Sequence, residues 1–269
     1  MTEELYDPVE TKSALAALDA LLKRLPKPYL VLGGWAVYLT VDESYRREHG
    51  VSYLGSRDVD VCFHVDPTAD PADLRGSPLA KAFEVARDLG YVPTGSFRFC
   101  KFIRKGTGEV LTEEQSKHVP AFDIHNLFLD MMVDRIHPRH SEVFGSRALD
   151  EPLVAGVFQD GLEVRTRLGG IEVPVPPAHI LLATKLKSIQ GRNREDKVVK
   201  DACDIYALLW HSKPAYSDVL SRVRDEFPEE CDRGVSAITV EIARTAARHL
   251  GVDEDSYQGV VQGLRRKVA

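Results

Sequence analysis

Two stretches decide how this chain reads: Tyr29-Leu30-Val31-Leu32-Gly33-Gly34-Trp35-Ala36-Val37, and Ser56-Arg57-Asp58-Val59-Asp60-Val61-Cys62-Phe63. Tyr29 to Leu32 is a short apolar run, the length of a buried strand. Gly33-Gly34 follows at once and opens a helical stretch through Trp35, Val37, Tyr38 and Leu39. Glycines at such a turn let backbone N–H groups come close to a phosphate, and a helix N-terminus favours negative charge. A strand-to-helix turn without a ligand uses the same glycines, so this feature alone is weak. In the second stretch apolar and polar residues alternate from Asp58 to Val65, as on a half-buried strand. Asp58 and Asp60 are two apart and share a face. Side-by-side carboxylates repel unless a cation lies between them. Magnesium suits them, because it takes carboxylate oxygens and binds together with phosphate.

A further acid extends this pattern. Asn126-Leu127-Phe128-Leu129-Asp130-Met131-Met132-Val133-Asp134 reads as an apolar strand with Asp130 inside it. A carboxylate in such company is costly without a partner. If this strand lies beside the Asp58–Asp60 strand, Asp130 completes a three-carboxylate metal site. Two metal ions there would align the attacking and leaving oxygens of an in-line displacement, with Asp130 as ligand or base. Asp134 has the same parity and is a rival, and Asp123 a weaker one. The bland alternative is a salt bridge from Asp130 to Arg57 or Arg135.

Outward from these stretches, residues 8–25 have the Leu spacing of an amphipathic helix, ended by Pro26 and Pro28. A polar loop is expected over 42–52, a helix over 77–90, and strands over 96–104 and 126–134, with a polar, flap-like segment between the strands. Gly169-Gly170 suggests a hairpin over 162–175. After Pro176-Pro177 the pattern turns helical, with helices expected at 178–190, 196–210, 215–225, 235–249 and 254–267. The sequence thus predicts an α+β fold. Its core, residues 1–175, is a small mixed β-sheet flanked by helices. A helical C-terminal domain, 176–269, follows.

That helical part carries a basic run. Residues 185–200 hold Lys185, Lys187, Arg192, Arg194, Lys197 and Lys200 against Glu195 and Asp196. Lys185 shares its helix with Ile180 and Leu181, so one side packs and the lysine is expected to reach a cleft. A triphosphate needs such cations, both to bind and to offset charge on a leaving pyrophosphate. A solvated basic helix is the ordinary alternative.

Composition sets the outer bounds. The chain has 269 residues, 43% hydrophobic and 28% charged, an ordinary globular mix. The net charge of −6 argues against an all-over nucleic-acid-binding surface, though not against a local basic groove. Cys62, Cys100, Cys203 and Cys231 form no CxxC pair, so buried free thiols are expected rather than zinc or disulfides. No apolar run is long enough for a membrane span and no signal peptide is evident, which points to a soluble, cytoplasmic protein. His64 and the His137-Pro138-Arg139-His140 stretch lack helical zinc-pair spacing and are expected at the surface or beside a substrate.

Taken together, Gly33-Gly34-Trp35-Ala36-Val37 and Ser56-Arg57-Asp58-Val59-Asp60 resemble the signature of the DNA polymerase β-like nucleotidyltransferase superfamily. The later TKLKS…KDACDIYAL stretch resembles the branch that includes the prokaryotic abortive-infection type toxin nucleotidyltransferases. The resemblance implies Mg2+-dependent transfer of a nucleoside monophosphate from an NTP to an acceptor hydroxyl. It places Gly33, Gly34 and Ser56 on the triphosphate, with Arg57 beside them as a further nucleotide-binding candidate. Asp58 and Asp60 would hold magnesium. Lys185 would meet the phosphates, followed by Asp201 or Asp204. The resemblance does not carry over the acceptor; the basic residues of 185–200 and Arg265-Arg266-Lys267 would offer an RNA or tRNA acceptor a phosphate track, and the toxin branch would bring an antitoxin partner. A small-molecule transferase of the aminoglycoside type, or a non-catalytic nucleotide-binding relative, stands as the alternative.

Overall fold

The computed structural model describes residues 5–95 and 98–265. In chain order its elements are α1 (Pro8–Leu22), β1 (Leu30–Val31), α2 (Gly33–His49), β2 (Val59–Phe63), α3 (Pro71–Gly76), α4 (Pro78–Asp88), β3 (Val92–Thr94), β4 (Arg98–Arg104), β5 (Val110–Leu111), α5 (Glu113–Ser116), β6 (Ile124–Val133), α6 (His140–Phe144), β7 (Leu149–Asp150), α7 (Ala155–Asp160), β8 (Val164–Leu168) and β9 (Ile171–Val175). Helices α8 (Ala178–Ile189), α9 (Glu195–His211), α10 (Tyr216–Glu226), α11 (Pro228–Ser236), α12 (Val240–Leu250) and α13 (Glu254–Gln262) complete the chain. The fold is α+β, with a mixed sheet followed by a helical C-terminal region. Of the expected strand over 96–104, Ser96 and Phe97 lie outside the described residues, as do Arg266 and Lys267 of the expected phosphate track.

Two compact units divide this chain. A sheet unit holds Tyr6–Trp35 and Gly55–Val175; a helical unit holds Ala36–Leu54 with the chain from Pro176 onward. The division falls inside α2.

In the sheet unit the strand order is β1-β2-β6-β4-β3, with β5 added to β4 and β7 to β6. β2 and β6 run parallel, as do β6 and β7; the other pairs are antiparallel. The alternation read from the sequence sets the faces. Val59, Val61 and Phe63 of β2 are fully buried, as are Leu127 and Leu129 of β6. Burying each such side chain is worth about 1.5–3 kcal/mol, and a one-residue slip would expose the whole set. α1 starts where Asp7 accepts a hydrogen bond from the Val9 N–H, with Pro8 at the first helical position. Its Leu18 and Leu21 are fully buried. The polar segment expected as a flap carries β5, paired with β4, and the short α5, closed by a reciprocal Thr112–Gln115 capping box. β8 and β9 form the expected hairpin as a separate two-stranded sheet.

The helical unit corrects two expectations. Residues 42–49 are not loop: α2 continues to His49. Its polar residues pair along the helix, Asp42 with Arg46 and Glu43 with Arg47, while Tyr45 turns inward and donates its hydroxyl to Leu250 O at 2.7 Å. Such i,i+4 pairs let a polar face be helical. The single helix expected over 235–249 is two, α11 and α12, broken at 237–239, where Thr239 caps α12. Gly234 permits the close packing of α11 on α8, since a Cβ there would fall 2.7 Å from Leu186 O. All four cysteines are free and buried. Among the described residues no helix is long and apolar enough to cross a membrane.

Candidate active site

The parallel pairing of β2 with β6 puts Asp60 directly opposite Asp130. Neighbouring strands lie about 4.8 Å apart, and residues paired in register share a face. Asp58, one residue ahead of β2, is half-buried on the same edge, and Asp60 is half-buried as well. Asp60 and Asp130 are therefore brought side by side, with Asp58 two residues ahead of Asp60, though the carboxylate oxygens of the three do not all lie within 4.8 Å of one another. On the other side of Asp130, β4 places Arg98 in register. Its guanidinium grips the carboxylate with both arms, Nε to Oδ1 at 2.8 Å and Nη2 to Oδ2 at 2.5 Å. The row Asp60–Asp130–Arg98 thus crosses three strands. The pKa of Arg98 is raised, first by its hydrogen bond to Asp130, against the opposing effect of burial, and then by the charges of Asp130, Asp58 and Asp60. The Phe128 ring lies 4.7 Å below the guanidinium and fixes its plane.

Arg98 is the residue that sequence reasoning missed. The salt bridge weighed for Asp130 forms, but its partner is neither Arg57 nor Arg135. Arg57 turns instead to Glu10 at 3.4 Å and lies over the Tyr6 ring at 4.9 Å. The expected strand over 96–104 contained Arg98, but the register that faces it to Asp130 is set by tertiary pairing.

At the head of α2, Gly33 has φ +63°, and a Cβ there would come 1.9 Å from Asp60 Oδ2. Only glycine fits that turn. The first turn of a 17-residue helix therefore begins against the Asp60 carboxylate. Leu32 N donates to Asp60 O at 2.9 Å, tying the turn to β2. Gly34 is buried in the same first turn. Ser56 is buried, and its hydroxyl accepts from the Asp58 N–H at 3.4 Å, shaping the entry to β2.

The rival acids lie elsewhere. Asp134 is fully buried past the end of β6, where it accepts from Val65 N at 2.9 Å and pairs with His64 Nδ1 at 2.6 Å. It closes the end of the sheet remote from Asp58. Asp123 is exposed in a 3-10 turn before β6. Of the histidines expected at the surface or beside a substrate, His64 is partly exposed, whereas His137 and His140 are used for packing. His137 is buried with Nε2 3.0 Å from Ala69 O, and His140 is buried against Phe144. A cavity of about 380 Å³ lies near His64, lined also by Tyr29, Leu30, Val157, Phe158 and Pro174, away from the acid row.

Lys185, Asp201 and Asp204 belong to the helical unit and form a cluster of their own. The Lys185 ammonium is buried, 3.0 Å from Asp201 Oδ1 and 2.8 Å from Asp204 Oδ2. Asp201 also accepts from Ser188 and from Arg192 Nε at 2.8 Å. Asp204 Oδ1 accepts from Lys200 at 2.5 Å and from the Tyr53 hydroxyl at 2.8 Å. Burial opposes the charge on Lys185, but the two aspartates outweigh it and its pKa is raised. Burial likewise opposes ionisation of Asp201, but Lys185 and Arg192 hold its carboxyl down to about 2. For Lys200 burial prevails, and its pKa is lowered. The lysine expected to reach a cleft is thus enclosed by aspartates. The expected basic track over 185–200 is largely consumed within the protein: Lys185 and Lys200 are buried, Arg192 pairs with Asp201, and Arg194 pairs with Asp196.

No family profile matches this chain, and a search among curated proteins finds no match. Among solved structures it is similar to an antigenic nucleotidyltransferase-like protein from Paracoccidioides brasiliensis, at 15% identity and a TM-score of 0.38, over 84% of this chain and 91% of that one.

Proposed function

We propose that the protein is a metal-dependent nucleotidyltransferase that moves a nucleoside monophosphate from an NTP to an acceptor hydroxyl. The observation that carries this reading is the in-register pair Asp60–Asp130, with Asp58 ahead of it and the head of α2 pressed against Asp60. The donor set suits Mg2+: carboxylates on adjacent strands beside a helix N-terminus that also suits a phosphate. Asp58 and Asp60 would hold the ions, with Asp130 as third ligand or as base. Magnesium bound there would neutralise triphosphate charge and favour in-line geometry.

The residues of this chain supply the rest. The N–H groups at Gly33 and Gly34 receive phosphate oxygens, and Ser56 shapes the turn that presents Asp58. Arg98 aims the Asp130 carboxylate, so that it can take the proton of the acceptor hydroxyl. The acceptor oxygen forms a bond to the α-phosphorus, the bond to the bridging oxygen breaks, and pyrophosphate leaves. Lys185, with Asp201 and Asp204, acts as an internal brace of the helical unit. RNA is the acceptor class to try first, and toxin activity checked by an antitoxin would follow only from the branch that the later stretch resembles.

The test is incubation with each α-labelled NTP and Mg2+, with and without total tRNA, following label into RNA, protein and small molecules. Label transferred by the wild type and lost in Asp58→Ala supports the reading and names the acceptor class. Absence of both transfer and Mg2+-dependent NTP binding overturns it.

A further inference from the structure

The helical unit holds a second group of metal-ligating side chains, unrelated to the acid row. Glu48 and His49 end α2, and His211 ends α9. One ligand atom from each lies within 4.8 Å of the other two. The Glu48 carboxylate is 3.8 Å from His49 Nε2 and 3.8 Å from His211 Nδ1, close to both but hydrogen-bonded to neither. The His211 side chain is wholly buried, and neither of its ring nitrogens has a hydrogen-bond partner among the described residues; the buried Nε2 of His49 also lacks one. Buried polar atoms are normally satisfied, and each exception asks for a cause. Aromatic rings enclose the pair: Tyr45 lies 4.3 Å from the His49 ring and 5.1 Å from the His211 ring.

We infer that Glu48, His49 and His211 bind one divalent transition-metal ion, of the class of Zn2+, through two imidazole nitrogens and one carboxylate oxygen. Two histidines and a carboxylate exclude the hard ions that suit the acid row, since imidazole selects zinc and its neighbours over magnesium. A tetrahedral zinc ion holds its ligand atoms roughly 3.4 Å apart, so the site closes by about an ångström. Glu48, with a side chain 51% exposed, and the His49 ring, which is not fully buried, supply that movement. The same exposure leaves the fourth position to water. The ion would join the last turn of α2 to the last turn of α9, fastening two helix ends of one unit.

The test uses the full chain, stripped with chelator and titrated with ZnCl2 by calorimetry and by thermal melting, with CoCl2 absorption as a report on nitrogen ligation. Glu48→Gln and His49→Gln change positions that are not fully buried, which spares the fold. Asp60→Asn separates this site from the acid row. The expected result is one Zn2+ per chain and a Tm raised by about 5–10 °C when free zinc is about a hundredfold over its dissociation constant. Affinity should fall at least about tenfold in His49→Gln and in Glu48→Gln, and stay unchanged in Asp60→Asn. Less than one ion per chain, affinity unaffected by both substitutions at the site, or affinity lost in Asp60→Asn each overturns the inference.

Discussion

In the sheet unit, Asp58 and Asp60 stand half-buried at the start of β2 beside a helix N-terminus, with one fork of Arg98 gripping Asp130. In the helical unit, Asp201 and Asp204 are buried, and lysine, arginine, serine and tyrosine side chains surround them. Both places gather carboxylates on regular elements, yet the physical situations are opposite. A buried charge network of paired members is strongly destabilised by the loss of any one of them. Asp58 and Asp60 instead keep a side toward solvent beside the head of α2. Lys185 is enclosed and Asp60 half-exposed, although both read as ligand-binding residues in the sequence.

Four experiments can break or sharpen that contrast. The largest effect is expected in the acid row. Asp58→Ala and Asp60→Ala should each lower nucleotidyl transfer on the order of 10³-fold while leaving Tm unchanged or slightly higher, as label transfer and thermal melting of the same preparations would show. An unchanged rate would remove the acids from the chemistry. Next, Lys185→Met should cost about 3–5 kcal/mol and lower Tm by about 10 °C, because it takes one cation away from each of two buried carboxylates, Asp201 and Asp204. A stable Lys185→Met protein with weakened NTP use would reverse the assignment and return Lys185 to the phosphates. Arg98→Gln should reduce kcat about tenfold to a hundredfold, with KM for the NTP little changed and a modest change in Tm. A purely structural Arg98 would move Tm and leave kcat in place.

The smallest effect concerns pH. The Asp201 carboxyl is held at about 2 against an ordinary 3.8, so its contribution to stability is present above about pH 4 and fades as pH falls toward 2. Tm measured across that window should fall more steeply in the wild type than in Asp201→Asn, which would already be less stable at pH 7. Equal slopes would show that the network is not what fails in acid.

Much of the architecture was legible because it rests on local pattern. The apolar run before Gly33-Gly34 and the alternation after Asp58 gave β1, the head of α2 and β2, and the Leu spacing gave α1. The continuation of α2 to His49 was hidden because its outer face is polar and stabilised by side-chain pairs, while Tyr45, the residue that packs, sits alone among charges. Asp130 could be picked out as an acid on an apolar strand, but its partner depended on which strand lies beside β6, and no spacing encodes that. Lys185 misled for the same reason: a lysine on an apolar helix face reads as a cation seeking a cleft until the aspartates of a second helix are seen beside it.

Helix α2 has a bearing on how this chain can be divided. Its first turn serves the sheet unit, while Tyr45 and, in the following loop, Tyr53 anchor Leu250 and Asp204 of the helical unit. A fragment that starts at Pro176 would leave both hydroxyls behind, and with them the residues that cover its buried charges. The gene cannot be cut at the Pro176-Pro177 punctuation into two self-sufficient halves. Insertions and deletions are better tolerated in surface loops, whereas lengthening α2 by a single residue would rotate every later side chain on it by about 100°.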